Sequence, residues 1–299
     1  FNIIRSPKSY NSQIGVALSI LEMKQEHQLA IIEAGIDQKN EMPRLEEIIK
    51  PNIGVFTHLG PAHESNFSSD LEKLNEKLHL FKSVNTLVFH NKYNLNNSLA
   101  GYAIPSIISI DSESGSTIQF IKQIINNNSS EIHLLINNKI VVYEIPFSDP
   151  ASLENSLSCI GVLLALGLDP INYLDRFKKL EPIEMRLEFK KAINQCELFC
   201  DLYNNDLNAV IIALQTADVQ RRQNKKILIL SDILQSSQNT ELIYEKIAQL
   251  KRQFKIEKLI GIGKEISKSK NLFDENDAFY ESTEAFLKSI ELSAFKEHL

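Results

Sequence analysis

The feature that most constrains this chain is an alternation that runs along most of its length. Short apolar runs of strand length are separated by segments in which apolar residues recur at helical spacing. Leu29–Ala34, Asn52–Thr57 and Thr86–His90 read as strands, with Asn11–Met23, Met42–Ile49 and Asp70–Lys82 as the helices around and between them. Strands joined by helical crossovers form βαβ units, which require a mostly parallel sheet with helices over both faces. The fold class is therefore α/β.

The pattern weakens between Asn91 and Asn138, where Asn and Ser accumulate. At the far edge of that stretch, Ile132–Ile136 and Lys139–Ile145 flank Asn137-Asn138, a hairpin signal because Asn tolerates the left-handed backbone of a tight turn. Ser148-Asp149-Pro150 then supplies capping oxygens and a first-turn proline for a helix ending near Leu166, where Gly167 stops it. A second strand–helix series follows. Its strands are Arg186–Lys191, Glu197–Asp201, Lys226–Ser231, Lys258–Ile262 and Ala278–Tyr280, and its helices Leu207–Val219, Thr240–Phe254 and Thr283–Ser293. The change of series places a boundary near Glu181-Pro182, giving a larger domain over 1–182 and a smaller Rossmann-like one over 183–299.

Charge and hydropathy remove some functions. A net charge of −6 opposes a nucleic-acid partner, which needs a basic face. The longest apolar run, Cys159–Leu168, is about half the ~20 residues that span a bilayer. No signal peptide is recognised, and Cys159, Cys196 and Cys200 read as buried free thiols of a reducing, cytoplasmic compartment. No Gly-x-Gly-x-x-Gly opens a helix, so a dinucleotide oxidoreductase fits only in general outline.

Ligands gather at the carboxyl ends of strands in open parallel sheets. Three such ends carry chemistry: Glu33-Ala34-Gly35, the run Thr57 to Glu64, and Asp201 to Asp206. A carboxylate (Glu33) and an imidazole (His63) at adjacent strand ends can share a divalent cation, and oxygen ligands in a phosphate setting favour Mg²⁺. By spacing alone, a Glu at a strand end is more often a helix cap or a surface group, and His63 reads as a loop histidine.

Several segments, in order, resemble the Mur ligases, and among them the branch that adds D-alanyl-D-alanine. Ser6–Val16 resembles the Asn-rich segment that follows the family's ATP loop, and Glu33-Ala34-Gly35 its Glu-x-Gly. Thr57–His63 looks like Thr-Asn-Ile-Gly-x-Ala-His, and Glu154-Asn155-Ser156-Leu157 like the Asn-Ala-Leu helix start. Met185-Arg186-Leu187-Glu188 is similar to Gly-Arg-x-Glu, Asp201–Asp206 to Asp-Ser-Tyr-Asn-Ala-Asn, and Leu230–Ile233 to Leu-Gly-Asp-Met. The wording of Arg5–Gln13 and Ser231–Leu234 looks most like the branch fused to a C-terminal alanine racemase.

The resemblance implies ATP-dependent amide-bond formation in peptidoglycan synthesis. ATP activates the carboxylate of UDP-N-acetylmuramoyl-tripeptide as an acyl phosphate, and the D-alanyl-D-alanine amine displaces phosphate. Glu33 and His63 would hold Mg²⁺, joined by Lys77 if it carries a carbamate; beside Leu71, Leu74 and Leu78, Lys77 reads equally as a solvated lysine. His58, Asn155, Arg186, Asp201, Tyr203 and Asn204 would contact the nucleotide and Asn11 the substrate, although Asn155 reads equally as a first-turn helix residue. Closure of the second domain would expel water from the acyl phosphate.

The pattern also departs from the family. The Gly-x-x-Gly-Lys-Thr/Ser phosphate loop is missing, and Gly261-Ile262-Gly263-Lys264 lacks its length and its Ser/Thr. The chain begins at Phe1, in mid-pattern, and reads as a fragment unable to turn over ATP alone. His58 replaces an Asn, Ser231 a Gly and Ala17 a Pro. A silent Mur-like binding protein and a sister ligase of the Mur or folylpolyglutamate type are the competing readings.

Overall fold

The computed structural model describes residues 1–299 apart from 8, 61–65, 94, 96, 127–128, 182–186, 193–195, 203–204, 220–224, 234–238 and 290–299. Its chain divides into two compact units, Phe1–Lys179 and Leu180–Leu299.

The first unit opens with strand β1 (Ile3–Arg5), helix α1 (Gln13–Leu21) and β2 (Leu29–Ile31), and β1 and β2 pair in parallel. Helix α1 starts where the Ser12 hydroxyl accepts from the Gly15 amide, satisfying one of the amides a helix start leaves unpaired. Helix α2 (Glu41–Ile49), β3 (Ile53–Phe56), α3 (Asp70–Leu78), β4 (Thr86–His90), β5 (Ser106–Asp111), β6 (Ile118–Asn126), β7 (Ser129–Ile136) and β8 (Lys139–Ile145) follow. Strands β3 to β8 form one six-stranded sheet in sequential order, parallel from β3 to β6 and antiparallel from β6 to β8.

Strands β5 and β6 occupy the stretch that lacks a clear sequence pattern, which corrects that reading. A register shift between Phe120 and Lys122 breaks the period of two, and Ile121, Ile124 and Ile125 are exposed, so apolar residues do not mark one face. The hairpin between β7 and β8 turns on Asn137 and Asn138 as anticipated, at φ of 49° and 60°.

Helix α4 (Pro150–Ala165) closes one face of this sheet. Asp149 caps it by accepting from the Ser152 amide at 2.8 Å. Its Leu157 and Ile160 pack with Val88, Ile108 and Ile110. A Cβ on Gly161 would lie 2.5 Å from Val88 Cγ1, so the helix sits this close to β4 because that position carries no side chain. Leu74 and Leu78 of α3 enter a second cluster with Phe56, Phe81 and Leu87, while Val16, Met42 and Leu45 join α1 to α2. Helix α5 (Leu174–Phe177) ends the unit.

The second unit holds an antiparallel pair, β9 (Glu188–Lys191) with β10 (Glu197–Cys200), then α6 (Leu207–Val219). A parallel three-stranded sheet follows from β11 (Ile227–Ser231), β12 (Lys258–Ile262) and β13 (Ala278–Tyr280). Helices α7 (Thr240–Gln253), α8 (Lys264–Lys268) and α9 (Thr283–Ser289) connect or flank these strands. The core is Ile243, Tyr244, Ile247 and Leu250 of α7 against Leu230 and Leu259.

The cysteines are free, but only Cys196 is buried; Cys200 is half-buried and Cys159 exposed, which corrects the reading of three buried thiols. Among the described residues no helix is long and apolar enough to cross a membrane.

Candidate active site

Two groups of side chains gather just past parallel strands of the first unit. The first follows β1 and β2. The Ser6 amide donates to the Ile31 carbonyl at 3.0 Å, and the Ser6 hydroxyl accepts from the Glu33 amide at 3.1 Å. Strand β2 ends at Ile31, so Glu33 lies two residues beyond the strand rather than within it. Its Oε1 accepts from the Asn11 amide nitrogen at 3.0 Å. Asn11 also accepts from the Gly35 amide through its carbonyl at 2.8 Å, and a Cβ on Gly35 would stand 3.0 Å from Asn11 Cγ. The Glu-x-Gly spacing thus lets Asn11 lie against the turn and fix the carboxylate. Glu33 is exposed and Asn11 half-buried.

The second group follows β3 and β4. His58 Nδ1 is 2.7 Å from the Tyr93 hydroxyl, and the two rings meet edge to face with centroids 6.0 Å apart. Phe56 backs Tyr93 at 5.3 Å, and Lys92 Nζ stands 5.0 Å from the centroid of the Tyr93 ring. Lys92 also pairs with Glu154 of α4, while burial pushes the Tyr93 phenol above its usual range. Beneath the loop, α3 supplies two lysines. Lys77 Nζ donates to the His58 carbonyl at 3.3 Å, and Lys73 Nζ donates to the Gly60 carbonyl. Burial, and then the charge of Lys73, lower Lys77 from 10.5 to about 8. Lys77 is half-buried, so it is not the fully solvated lysine of the alternative reading.

His90, at the end of β4, is buried, with Nε2 3.1 Å from the Ser158 hydroxyl and 3.2 Å from the Glu154 carbonyl. Burial lowers its pKa, so the ring is neutral and serves to dock α4. Asn155 lies on the exposed side of α4, in its second turn rather than its first.

In the second unit, Asp201 follows β10 and is half-buried. Asn205 Nδ2 donates to the Ser231 carbonyl at 2.9 Å, the Ser231 hydroxyl at 3.0 Å and the Asp232 carbonyl at 3.0 Å. Asp232 accepts from the Glu265 and Ile266 amides at 3.2 and 2.9 Å. The carboxylate therefore occupies the start of α8, where Gly261–Lys264 superficially resembles a phosphate loop, and that helix start is already capped. His63, Arg186, Tyr203 and Asn204 lie outside the described residues.

The sequence reading missed Lys73, Lys92, Tyr93 and Glu154. Tyr93 has a legible signal, because it lies just past the carboxyl end of the predicted strand Thr86–His90. Lys73 is one helical turn before Lys77, on the same face of α3. Among the described residues no three of His, Cys, Asp and Glu converge as a preformed metal cage. A single carboxylate is nonetheless a donor suited to Mg²⁺, which keeps several waters and takes one or two carboxylates with substrate phosphates.

The family model of the Mur ligase middle domain matches residues 1–163. The chain belongs to the Mur ligase family. The UDP-N-acetylmuramoyl-tripeptide–D-alanyl-D-alanine ligase of Rickettsia prowazekii is 26% identical over 258 residues, which are 83% of this chain and 56% of the relative. The enzyme of the same name from Bacillus subtilis is 21% identical over 274 residues, 88% of this chain and 57% of its own length. The chain thus spans somewhat more than half of these curated relatives. In fold it resembles MurF from Acinetobacter baumannii, with TM-score 0.82 and 16% identity, over 99% of this chain and 66% of that one. It also resembles MurF ligase from Thermotoga maritima solved in complex with ADP, with TM-score 0.77 and 12% identity, over 99% of this chain and 68% of that one.

Proposed function

We propose that the protein carrying this chain is the Mur ligase that joins D-alanyl-D-alanine to UDP-N-acetylmuramoyl-tripeptide at the expense of ATP, a cytoplasmic step of peptidoglycan synthesis on which cell shape and division depend. The observation that carries the reading is the Asn11–Glu33 pair on one strand end together with the His58 and Lys77 loop on another, in a chain that belongs to the Mur ligases. The relatives that share the name match over 88% and 83% of this chain, which supports this branch.

In this reading Glu33 and His63 would hold Mg²⁺, which would supply neutralisation of the charge that develops on the transferring phosphoryl group. Asn11 holds the Glu33 carboxylate in one orientation through its amide. Lys77 is suited to carbamylation: burial and the charge of Lys73 lower its pKa to about 8, so more of its amine is unprotonated at neutral pH than for an ordinary lysine. His58, Asn155, Arg186, Asp201, Tyr203 and Asn204 bind the nucleotide. The resemblance to the racemase-fused branch makes an alanine racemase domain part of the proposal for the intact protein.

The test is product formation. The intact protein, given ATP, Mg²⁺, the tripeptide nucleotide and D-alanyl-D-alanine, is expected to yield UDP-N-acetylmuramoyl-pentapeptide, read by mass spectrometry. No product, with ATP bound, would favour the silent binding protein that His58 and Ser231 at altered family positions would mark.

A further inference from the structure

Lys73 is among the most buried side chains of the first unit, at 2% exposure. Removing an ammonium from water is costly, and an apolar side chain of similar length would fill the same space. The Gly60 carbonyl is among the partners of its ammonium. Helix α3 is fixed on its other sides: Leu74 and Leu78 enter the core, and the buried Glu76 accepts from the Met42 amide at 3.1 Å. At its start, Glu72 pairs with Lys39 at 2.6 Å and accepts from the Ser68 amide at 2.7 Å. From this anchored helix Lys73 donates to the carbonyl of Gly60 and Lys77 to that of His58, two carbonyls on either side of Leu59. On the opposite side, the His58 ring meets Tyr93. Gly60 is also the last described residue before the segment that contains His63.

We propose that Lys73 is a positioning residue for the ligation reaction: its buried ammonium latches the Gly60 carbonyl to α3 and so sets where the His58–Gly60 loop stands over Lys77. The inference rests on the ligase reading for its catalytic consequence, but the latch itself is a property of this chain. The loop is bound to α3 at two points by lysines a turn apart, and Lys77 is the one whose proposed modification changes its charge. Lys73 then holds the loop whichever state Lys77 is in.

Two measurements test this. Hydrogen exchange of the intact protein should show the Thr57–Gly60 segment exchanging about tenfold faster or more in Lys73→Met, with the amides of α3 close to wild type. Leu74→Ala, which loosens the same helix without touching the loop carbonyl, is the comparison. In the intact protein, Lys73→Met should lower kcat by about tenfold or more, because small displacements of a positioning element are costly. KM for the tripeptide should hold, and Lys73→Arg should recover much of the rate. Wild-type exchange in Lys73→Met would overturn the latch. A kcat loss no greater than that of Leu74→Ala at matched melting temperature would reduce Lys73 to a packing residue. Should Lys73→Met fail to fold, Lys73→Gln is compared in its place. An intact wild type that forms no product would remove the ligase reading and the positioning role with it, while the exchange result still decides the latch.

Discussion

Glu33 and Lys77 illustrate two ways in which a side chain is prepared for work. Glu33 is exposed, touched by one amide, and contributes little packing. Its replacement by Ala in the intact protein should therefore lower ligation by about a hundredfold or more, the scale of losing one electrostatic contact in a transition state, with the melting temperature unchanged. Near-wild-type rates would remove it from the metal site. Lys77 is shaped instead by burial and by Lys73. If its carbamate supplies the anion, Lys77→Ala should lose activity that short carboxylic acids partly restore, and unchanged activity without rescue would return it to a surface role. Glu72 gives a stability test by pH. Contacts with Lys39 and Ser68 lower its carboxyl from 4.5 to about 2. Between those values the unfolded chain binds the proton and the folded chain does not, so its stabilisation is complete above pH 4.5 and fades toward pH 2. Melting curves of Glu72→Gln should lack that component of the acid dependence; identical acid profiles would contradict the pairing.

Among the elements, α4 shows most directly how local sequence sets a site's geometry. Asp149 starts it, Gly161 lets it approach β4, and His90 fixes it through Ser158 and the Glu154 carbonyl. Gly161→Ala should cost about 1–3 kcal/mol in chemical denaturation, since the added methyl must displace Val88 in a packed core. A neutral result would mean that α4 shifts freely on the sheet. The cap, the hairpin and the crossover helices were legible from residues because each has a local chemical cause. Strands β5 and β6 were not, because a bulge interrupts the alternation and exposed isoleucines blur which face is buried. The Tyr93–His58 contact was hidden for another reason: it joins residues 35 positions apart, and only the parallel register of β3 and β4 brings them together.

For the molecule as a whole, the alternation of strands and helices gave the α/β class, and the ordered motifs gave the family that the middle-domain match establishes. What spacing alone could not supply was the support beneath the motifs, such as the buried Lys73 or the Asp232 carboxylate that fills the start of α8. The chain spans 57% of the length of its Bacillus subtilis relative, and the proposed chemistry is read on the intact protein. The most direct measurement is phosphate release by that intact protein from ATP and Mg²⁺. The account predicts release only when UDP-N-acetylmuramoyl-tripeptide and D-alanyl-D-alanine are both present. Release with ATP alone, or none with both substrates while the nucleotide is bound, would contradict it.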